Sequence, residues 1–294
     1  MTMSSPSKPA RLTQDQRERL RLVQAAAPEL DLDVFPDVLI IGPQRTGSTW
    51  LHENLARHPQ IFMTEPKELY YWSSVQWPEY HPKHLPPFSA DLSWYLDFFR
   101  ESSDQMKTRH ERSFADFGEP YVPVVRGESS ATYAVACEPE IIREIVTLNP
   151  AIKAILLVRH PGERAWSHIK KEHHMDGGTP VDQISVEDCR AFIDNKYNRD
   201  CGLFSKIVAK WRVELPEDNL FVGDFRDVSR RPADLLRRVF SFLGVRDELK
   251  YVGDYATQQI CETPAEPIPA AFQPLLDEIY RDEVELLADL GFWW

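Results

Sequence analysis

The chain has 294 residues, which is enough for one domain with a large core or for a domain with a sizeable insertion. It carries 46 acidic and 34 basic residues, and the formal net charge of -12 argues against nucleic acid or a polyanionic polysaccharide as partner unless the basic residues cluster in one cleft. The four cysteines are scattered without a C-x-x-C pair, so the sequence predicts neither a zinc site nor a disulfide framework, and a reducing compartment is expected.

Residues 1–30 are predicted to form a tail and a helix ahead of a single main domain at 31–294. Thr13 with Gln16 three residues later is a capping-box signal, and the following stretch is predicted to be helical to near Pro28. The first ten residues lack the apolar segment of a secretory signal. No run of about twenty apolar residues occurs, so no integral membrane segment is predicted and the expected location is the cytoplasm.

The main domain begins with a strand, a glycine-containing loop and a helix. Val38–Ile41 is a continuous apolar run, typical of a strand covered on both faces, and a helix is predicted to end near Pro59. Between them, Gly42 and Gly47 have the spacing of the phosphate loop G-x-x-x-x-G-K-[ST], whose backbone N–H groups surround phosphate oxygens. Ser48 stands at the lysine position. The loop therefore predicts phosphate binding without the lysine that reaches the β- and γ-phosphates of ATP.

Four further strands are predicted to alternate with helical stretches: Ile61–Met63, Val124–Arg126, Ala154–Val158 and Leu220–Val222. This alternation predicts an α/β fold in which helices cover both faces of a parallel sheet. A proline-punctuated, irregular insertion is predicted at about 73–120. Within it, Asp91 to Arg100 is predicted to be an amphipathic helix whose aromatic stripe is expected in the core, while a substrate role stays open.

A second candidate phosphate site follows the strand Ala154–Val158. Arg159 stands at the end of this strand, and a proline comes two residues later, near the start of a predicted helix. Ligands of open α/β sheets lie at such carboxyl ends. Arg159 offers a planar fork of donors and Ser167 a hydroxyl, so together they predict a phosphate site separate from the glycine loop.

These segments resemble the 5′-phosphosulfate loop and the 3′-phosphate motif R-x-P-x-x-R-x-x-S of sulfotransferases that use 3′-phosphoadenosine 5′-phosphosulfate (PAPS). Further matching segments follow in the expected order: Lys67–Trp72 for K-E-x-x-[FY]-[FW], Gly127–Tyr133 for G-E-x-[ST]-x-x-Y, Gly202–Trp211, and Asn219–Gly244 ending in F-L-G. The resemblance covers roughly residues 36 to 290 and is strongest to the heparan-sulfate-type branch and its bacterial relatives. It implies a P-loop-like parallel sheet in a single domain with an acceptor-side insertion.

The resemblance also implies a set of donor-binding residues and no metal requirement. The implied contacts to PAPS, or to its product 3′,5′-ADP, are Arg45, Thr46, Gly47, Ser48, Thr49, Trp50, Arg159, Ser167 and Phe204. Trp50 is a candidate adenine-stacking face, and Phe204 is expected near the adenine. Many members close a basic loop over the 3′-phosphate, whereas residues 252–269 here contain no Lys or Arg. Either the lid differs, or Arg159, Ser167 and backbone groups hold that phosphate.

For catalysis, the resemblance implies Glu68 as the general base. Arg45 occupies a position at which many members carry a catalytic lysine, and because arginine stays charged its role would be electrostatic. Lys67 would supply a second cation. Glu128 and Ser130 are expected to border the acceptor site, and Tyr133 to border either that site or the adenine.

The sequence therefore predicts sulfuryl transfer to a hydroxyl, or less readily an amine, of a small-molecule or lipid-like acceptor. Two alternatives stay open: a P-loop-type kinase and a catalytically silent nucleotide-binding protein. The oligomeric state is also left open.

Overall fold

The computed structural model describes residues 30–78, 81–83, 85–175, 183–258 and 267–294. The predicted N-terminal tail and helix lie outside the described residues, as does Cys261. The strands are β1 (Val38–Gly42), β2 (Ile61–Met63), β3 (Val125–Ser129), β4 (Lys153–Val158) and β5 (Leu220–Asp224). The helices are α1 (Ser48–Leu55), α2 (Tyr71–Gln76), α3 (Leu92–Asp97), α4 (Ser103–Phe117), α5 (Tyr133–Ala136), α6 (Pro139–Leu148), α7 (Pro161–Met175), α8 (Val186–Asp194), α9 (Lys196–Asp200), α10 (Phe204–Glu214), α11 (Asp227–Arg230), α12 (Pro232–Leu243) and α13 (Gln273–Asp289).

The strands form one parallel sheet in the order β2-β3-β1-β4-β5. In register, Val38 of β1 lies opposite Gly127 of β3 on one side and Lys153 of β4 on the other. The chain builds the sheet on one side of β1 first and then crosses to the other side after β3. Because such a switch opens a crevice at the carboxyl ends of the strands, the segments after β1, β3 and β4 meet at one edge. The predicted fold class is confirmed.

Helices cover both faces of the sheet because successive side chains of each strand point to opposite sides. Leu39 and Ile41 pack with α6 and α10, whereas Val38 and Ile40 pack with α1 and α12. This double burial explains why β1 is a continuous apolar run rather than an alternating one.

The insertion is more regular than the sequence analysis predicts. It contains α4, a helix of 15 residues that begins with a reciprocal capping box between Ser102 and Gln105 and ends at Gly118. Asp91 caps α3, which ends at Asp97 rather than at Arg100. The aromatic stripe of α3 lies in the core as expected: the Tyr95 ring is fully buried and stacks on Tyr71 at 4.4 Å.

Candidate active site

The glycine loop joins the carboxyl end of β1 to the N-terminus of α1. Gly42 and Gly47 have φ values of 93° and 86°, in the left-handed region that favours glycine. A Cβ at Gly42 would lie 2.2 Å from the backbone oxygen of Ala131, so glycine is needed there for a close approach to the segment after β3. The first N–H groups of a helix have no partner within it, and at such a helix start they can bind a phosphate.

Some polar side chains of the loop are buried and stabilise it, and others are exposed to solvent. The Thr46 hydroxyl donates to the carbonyl of Pro43 at 2.8 Å and is buried, so it closes the loop on itself. Ser48 is largely buried at the start of α1, and Thr49 is exposed. Backbone N–H groups are therefore the main donors that Thr46 and its neighbours can offer an anion.

The segment after β4 lies directly against this loop. Arg159 donates from Nη1 to the carbonyl of Arg45 at 3.1 Å. Arg45, which has a φ of 71°, donates from Nε to Oγ of Ser167 at 2.9 Å. The two predicted phosphate segments thus contact each other, although they are more than a hundred residues apart in the sequence.

Arg164, behind the glycine loop, is a residue to which the sequence motifs above assign no role. Its guanidinium is fully buried and donates to the carbonyl of Asn198 at 2.9 Å and, at 3.5 Å, to that of Gln44 in the glycine loop. The Gln44 side chain in turn donates to the hydroxyl of Tyr197 at 2.6 Å. Arg164 is the second arginine of the R-x-P-x-x-R pattern, so that pattern was the available signal. It holds the loop to α9.

Glu68 and Lys67 are linked to the start of the glycine loop through Ala131. Lys67 Nζ is 3.0 Å from Oε1 of Glu68, and both side chains are 14% exposed. The backbone N–H of Ala131 donates to Oε2 of Glu68 at 2.8 Å. Since Ala131 also packs on Gly42, the carboxylate is fixed relative to the glycine loop. A cation and an oriented, partly accessible carboxylate are therefore held close to the glycine loop.

The three predicted acceptor-site residues are fully buried beneath Glu68. Ser130 Oγ accepts from the N–H of Tyr70 at 3.0 Å, and the Tyr133 hydroxyl accepts from the N–H of Trp72 at 3.3 Å. Burial raises the pKa of Glu128 to about 8, against smaller opposing effects of the Tyr133 and Tyr95 hydroxyls. Direct contact of these side chains with an acceptor stays a prediction, and their burial argues against it.

Trp50 and Phe204 are also buried. The Trp50 indole donates from Nε1 to the carbonyl of Ala256 at 2.9 Å and is 4% exposed. Phe204 begins α10 and is fully buried in the core between that helix and the sheet. Their contact with an adenine ring likewise stays a prediction, because neither offers an open aromatic face here.

Two negative findings concern the described residues only. Within them, no three or more His, Cys, Asp and Glu side chains come together as a metal-binding group. None of the helices in the described ranges has the length and apolar character to cross a membrane.

Comparison with known proteins gives a family match for this chain. The model of the sulfotransferase family matches residues 36–248. The chain is 27% identical over 239 residues to the human bifunctional heparan sulfate N-deacetylase/N-sulfotransferase 2, a match that covers 76% of this chain and 23% of the relative. The corresponding N-deacetylase/N-sulfotransferase 1 of Xenopus laevis is 24% identical over 249 residues, or 82% of this chain and 26% of the relative. The chain therefore spans about a quarter of the length of these relatives.

A solved structure is similar in fold. The sulfotransferase from Alicyclobacillus acidocaldarius matches with a TM-score of 0.58 at 19% identity, over 87% of this chain and 95% of that one. At this identity the likeness supports the fold alone.

Proposed function

Because the chain belongs to the sulfotransferase family, we propose that it transfers a sulfuryl group from PAPS to a hydroxyl of a small-molecule or lipid-like acceptor. The observation that supports this donor is the meeting of two anion-binding segments, linked by the contacts of Arg45 with Ser167 and of Arg159 with the Arg45 carbonyl. PAPS carries an activated sulfuryl group on its 5′-phosphate and a second phosphate at the 3′ position. The glycine loop suits the former, and Arg159 with Ser167 suits the latter.

In the proposed reaction, Glu68 accepts the proton of the acceptor hydroxyl as the acceptor oxygen bonds to sulfur. The bond from sulfur to the 5′-phosphate oxygen breaks, and 3′,5′-ADP leaves. The N–H of Ala131 and the ammonium of Lys67 orient the Glu68 carboxylate. Arg45 and Lys67 stabilise the negative charge that moves onto the leaving phosphate.

The choice of acceptor rests on charge. A net charge of -12 disfavours a polyanion, since the acceptor has to approach an acidic molecule. The relatives, however, are named as heparan sulfate N-sulfotransferases, so a polysaccharide amine is the second candidate acceptor. A kinase reaction is disfavoured because Ser48 replaces the lysine that would reach the γ-phosphate.

We also propose a reducing compartment for the protein. The described cysteines Cys137, Cys189 and Cys201 are free and buried. Buried thiols without a disulfide are typical of proteins of the cytosol. Detecting the tagged protein in intact cells and in cell fractions tests this location, and its recovery outside the cytosolic fraction would contradict the proposal.

The test combines binding and turnover. We expect calorimetry to show that 3′,5′-ADP binds equally well with and without a chelator, and more tightly than ATP with Mg²⁺. Turnover of PAPS is then measured with phenolic, aliphatic-alcohol, lipid and amine acceptors, including N-desulfated heparan. Tighter binding of ATP with Mg²⁺ would contradict the donor assignment, and sulfation of the amine alone would overturn the hydroxyl assignment.

A further inference from the structure

Phe225 touches both phosphate-binding segments. It follows β5 directly, and its side chain is half-buried. A Cβ built on Gly47 would lie 3.2 Å from Cδ2 and Cε2 of the Phe225 ring, so the ring lies beside the glycine loop. The contact occurs at the residue that immediately precedes α1.

The face of the same ring supports the second segment. The guanidinium carbon of Arg159 is 4.6 Å from the centroid of the Phe225 ring, within the range of a cation–π contact. The backbone N–H of Phe225 donates to the carbonyl of Val158, the residue before Arg159, at 2.8 Å. One side chain thus lies beside Gly47 and contacts Arg159 with its face, and its backbone bonds to the end of β4.

The separation of the two segments matters because the phosphates of the donor sit on one ribose at a fixed distance. Binding at one phosphate makes binding at the other an intramolecular event, and the gain in affinity depends on how closely the two sites match that distance. A rigid aromatic ring between the sites limits the positions that Arg159 can take relative to the loop.

We propose that Phe225 is a positioning residue that sets the spacing between the 5′- and 3′-phosphate sites, and thereby the preference for nucleotides phosphorylated at both positions. The inference rests on the proposed function, since it assumes a nucleotide with phosphates at both ends of one ribose. Phe225 contributes no hydrogen bond to the nucleotide and acts through Arg159 and Gly47.

The experiment compares 3′,5′-ADP with 5′-AMP and 3′-AMP by calorimetry in four variants. Phe225→Leu keeps apolar volume and removes the ring, Phe225→Met does the same with an unbranched chain if the first variant folds poorly, and Phe225→Tyr keeps the ring. Phe221→Leu is the matched control, because Phe221 is a half-buried phenylalanine of β5 that packs on Phe242, on the face of the sheet covered by α12. Melting temperatures are recorded for each preparation.

We expect Phe225→Leu to lower the affinity for 3′,5′-ADP by about tenfold, while the affinity for each mononucleotide changes by less than about twofold. Phe225→Tyr keeps the ring, so it should retain the preference of the unmodified protein for 3′,5′-ADP. A parallel loss for all three nucleotides would show direct contact or general damage instead of spacing, and no change for any of them would exclude a role. If the unmodified protein fails to prefer 3′,5′-ADP over both mononucleotides, the proposed function itself is wrong.

Discussion

A substitution of Glu68 distinguishes a role in proton transfer from a purely structural role. Glu68→Gln keeps the shape and removes the base, so turnover is expected to fall by about a hundredfold or more. Affinity for 3′,5′-ADP should change little, because the Glu68 carboxylate bonds Lys67 and Ala131 and is itself no donor to a phosphate. Turnover, nucleotide affinity and melting temperature are measured on one preparation.

The matched control for Glu68 is Glu65→Gln. Glu65 lies three residues earlier, pairs with Arg109 at 3.1 Å and is 69% exposed, so its loss should leave turnover near that of the unmodified protein. If Glu68→Gln instead keeps normal turnover with a lower melting temperature, the carboxylate is a structural ion-pair partner and has no part in proton transfer.

Gly42 supports a prediction on stability at the residue scale. Gly42→Ala places a Cβ 2.2 Å from the Ala131 oxygen at a φ of 93°, so the free energy of unfolding is expected to fall by about 4 kcal/mol or more. Gly118→Ala is the control: its φ is also positive, at 69°, but a Cβ there meets no atom within 4 Å. It should cost only about 1 kcal/mol. Urea unfolding measures the free energy of unfolding of both variants. Equal losses would show that backbone strain alone, and not the clash with Ala131, accounts for the effect at Gly42.

At the scale of elements, β4 and α7 supply the second phosphate site. Arg159→Ala is expected to weaken 3′,5′-ADP by about 1.5–3 kcal/mol and Ser167→Ala by about 1 kcal/mol, because the first loses a charge-assisted contact and the second a neutral one. Binding of 5′-AMP and discrimination among acceptors should hardly change. Arg212→Ala, which removes an exposed arginine of α10, is the control. A changed acceptor profile with unaltered 3′,5′-ADP affinity would place Arg159 and Ser167 on the acceptor side.

The elements themselves differ in how far local sequence predicts them. The strands were predictable because each is a short apolar run buried on both faces, and their observed bounds differ from the predicted ones by at most three residues. Helix α4 was missed, although Ser102 and Gln105 carry its capping signal. The helix is polar on average, and its residue Arg109 anchors it to the sheet by donating to the carbonyl of Met63 at 3.1 Å. That anchor is a tertiary contact, so periodicity alone gives no signal for it.

At the scale of the whole molecule, buried titratable groups predict a stability maximum near pH 6.5. Burial, with Lys67 and Arg109 nearby, lowers the pKa of His52 to about 3, and burial lowers that of His58 to about 4, both from 6.5. These groups stay neutral in the folded protein and take up protons only on unfolding, so their contribution is present above pH 6.5 and is lost as the pH falls. Glu128 is the opposite case: with a pKa of about 8 instead of 4.5, it keeps its proton in the folded state, and its contribution is lost as the pH rises from 4.5 through 8.

Each of these groups changes the free energy of unfolding by at most about 1.4 kcal/mol per pH unit. Between pH 4.5 and 6.5 the gain from the two histidines therefore exceeds the loss from the one glutamate, and stability rises with pH. Above pH 6.5 the glutamate acts without the histidines. Urea unfolding from pH 5 to 9 should therefore show a maximum, Glu128→Gln should flatten the alkaline decline, and His52→Asn should reduce the acid one. Glu138→Gln, at an exposed position, should do neither. A decline between pH 6.5 and 8 that persists in Glu128→Gln would assign it to another group.

Local sequence patterns are enough to predict the succession of strands and helices, the glycine loop with its missing lysine, and the arginine and serine of the second segment. These are local signals, because a buried strand, a left-handed glycine or a helix start is specified by a few neighbouring residues. Tertiary structure decided which of them meet. The contacts of Arg45 with Ser167, of Glu68 with Ala131 and of Phe225 with Gly47 and Arg159 join distant segments, and they depend on strand order, register and side-chain direction. For the same reason, the burial of Trp50, Glu128 and Phe204 follows from how helices and loops cover the sheet, which no local pattern records.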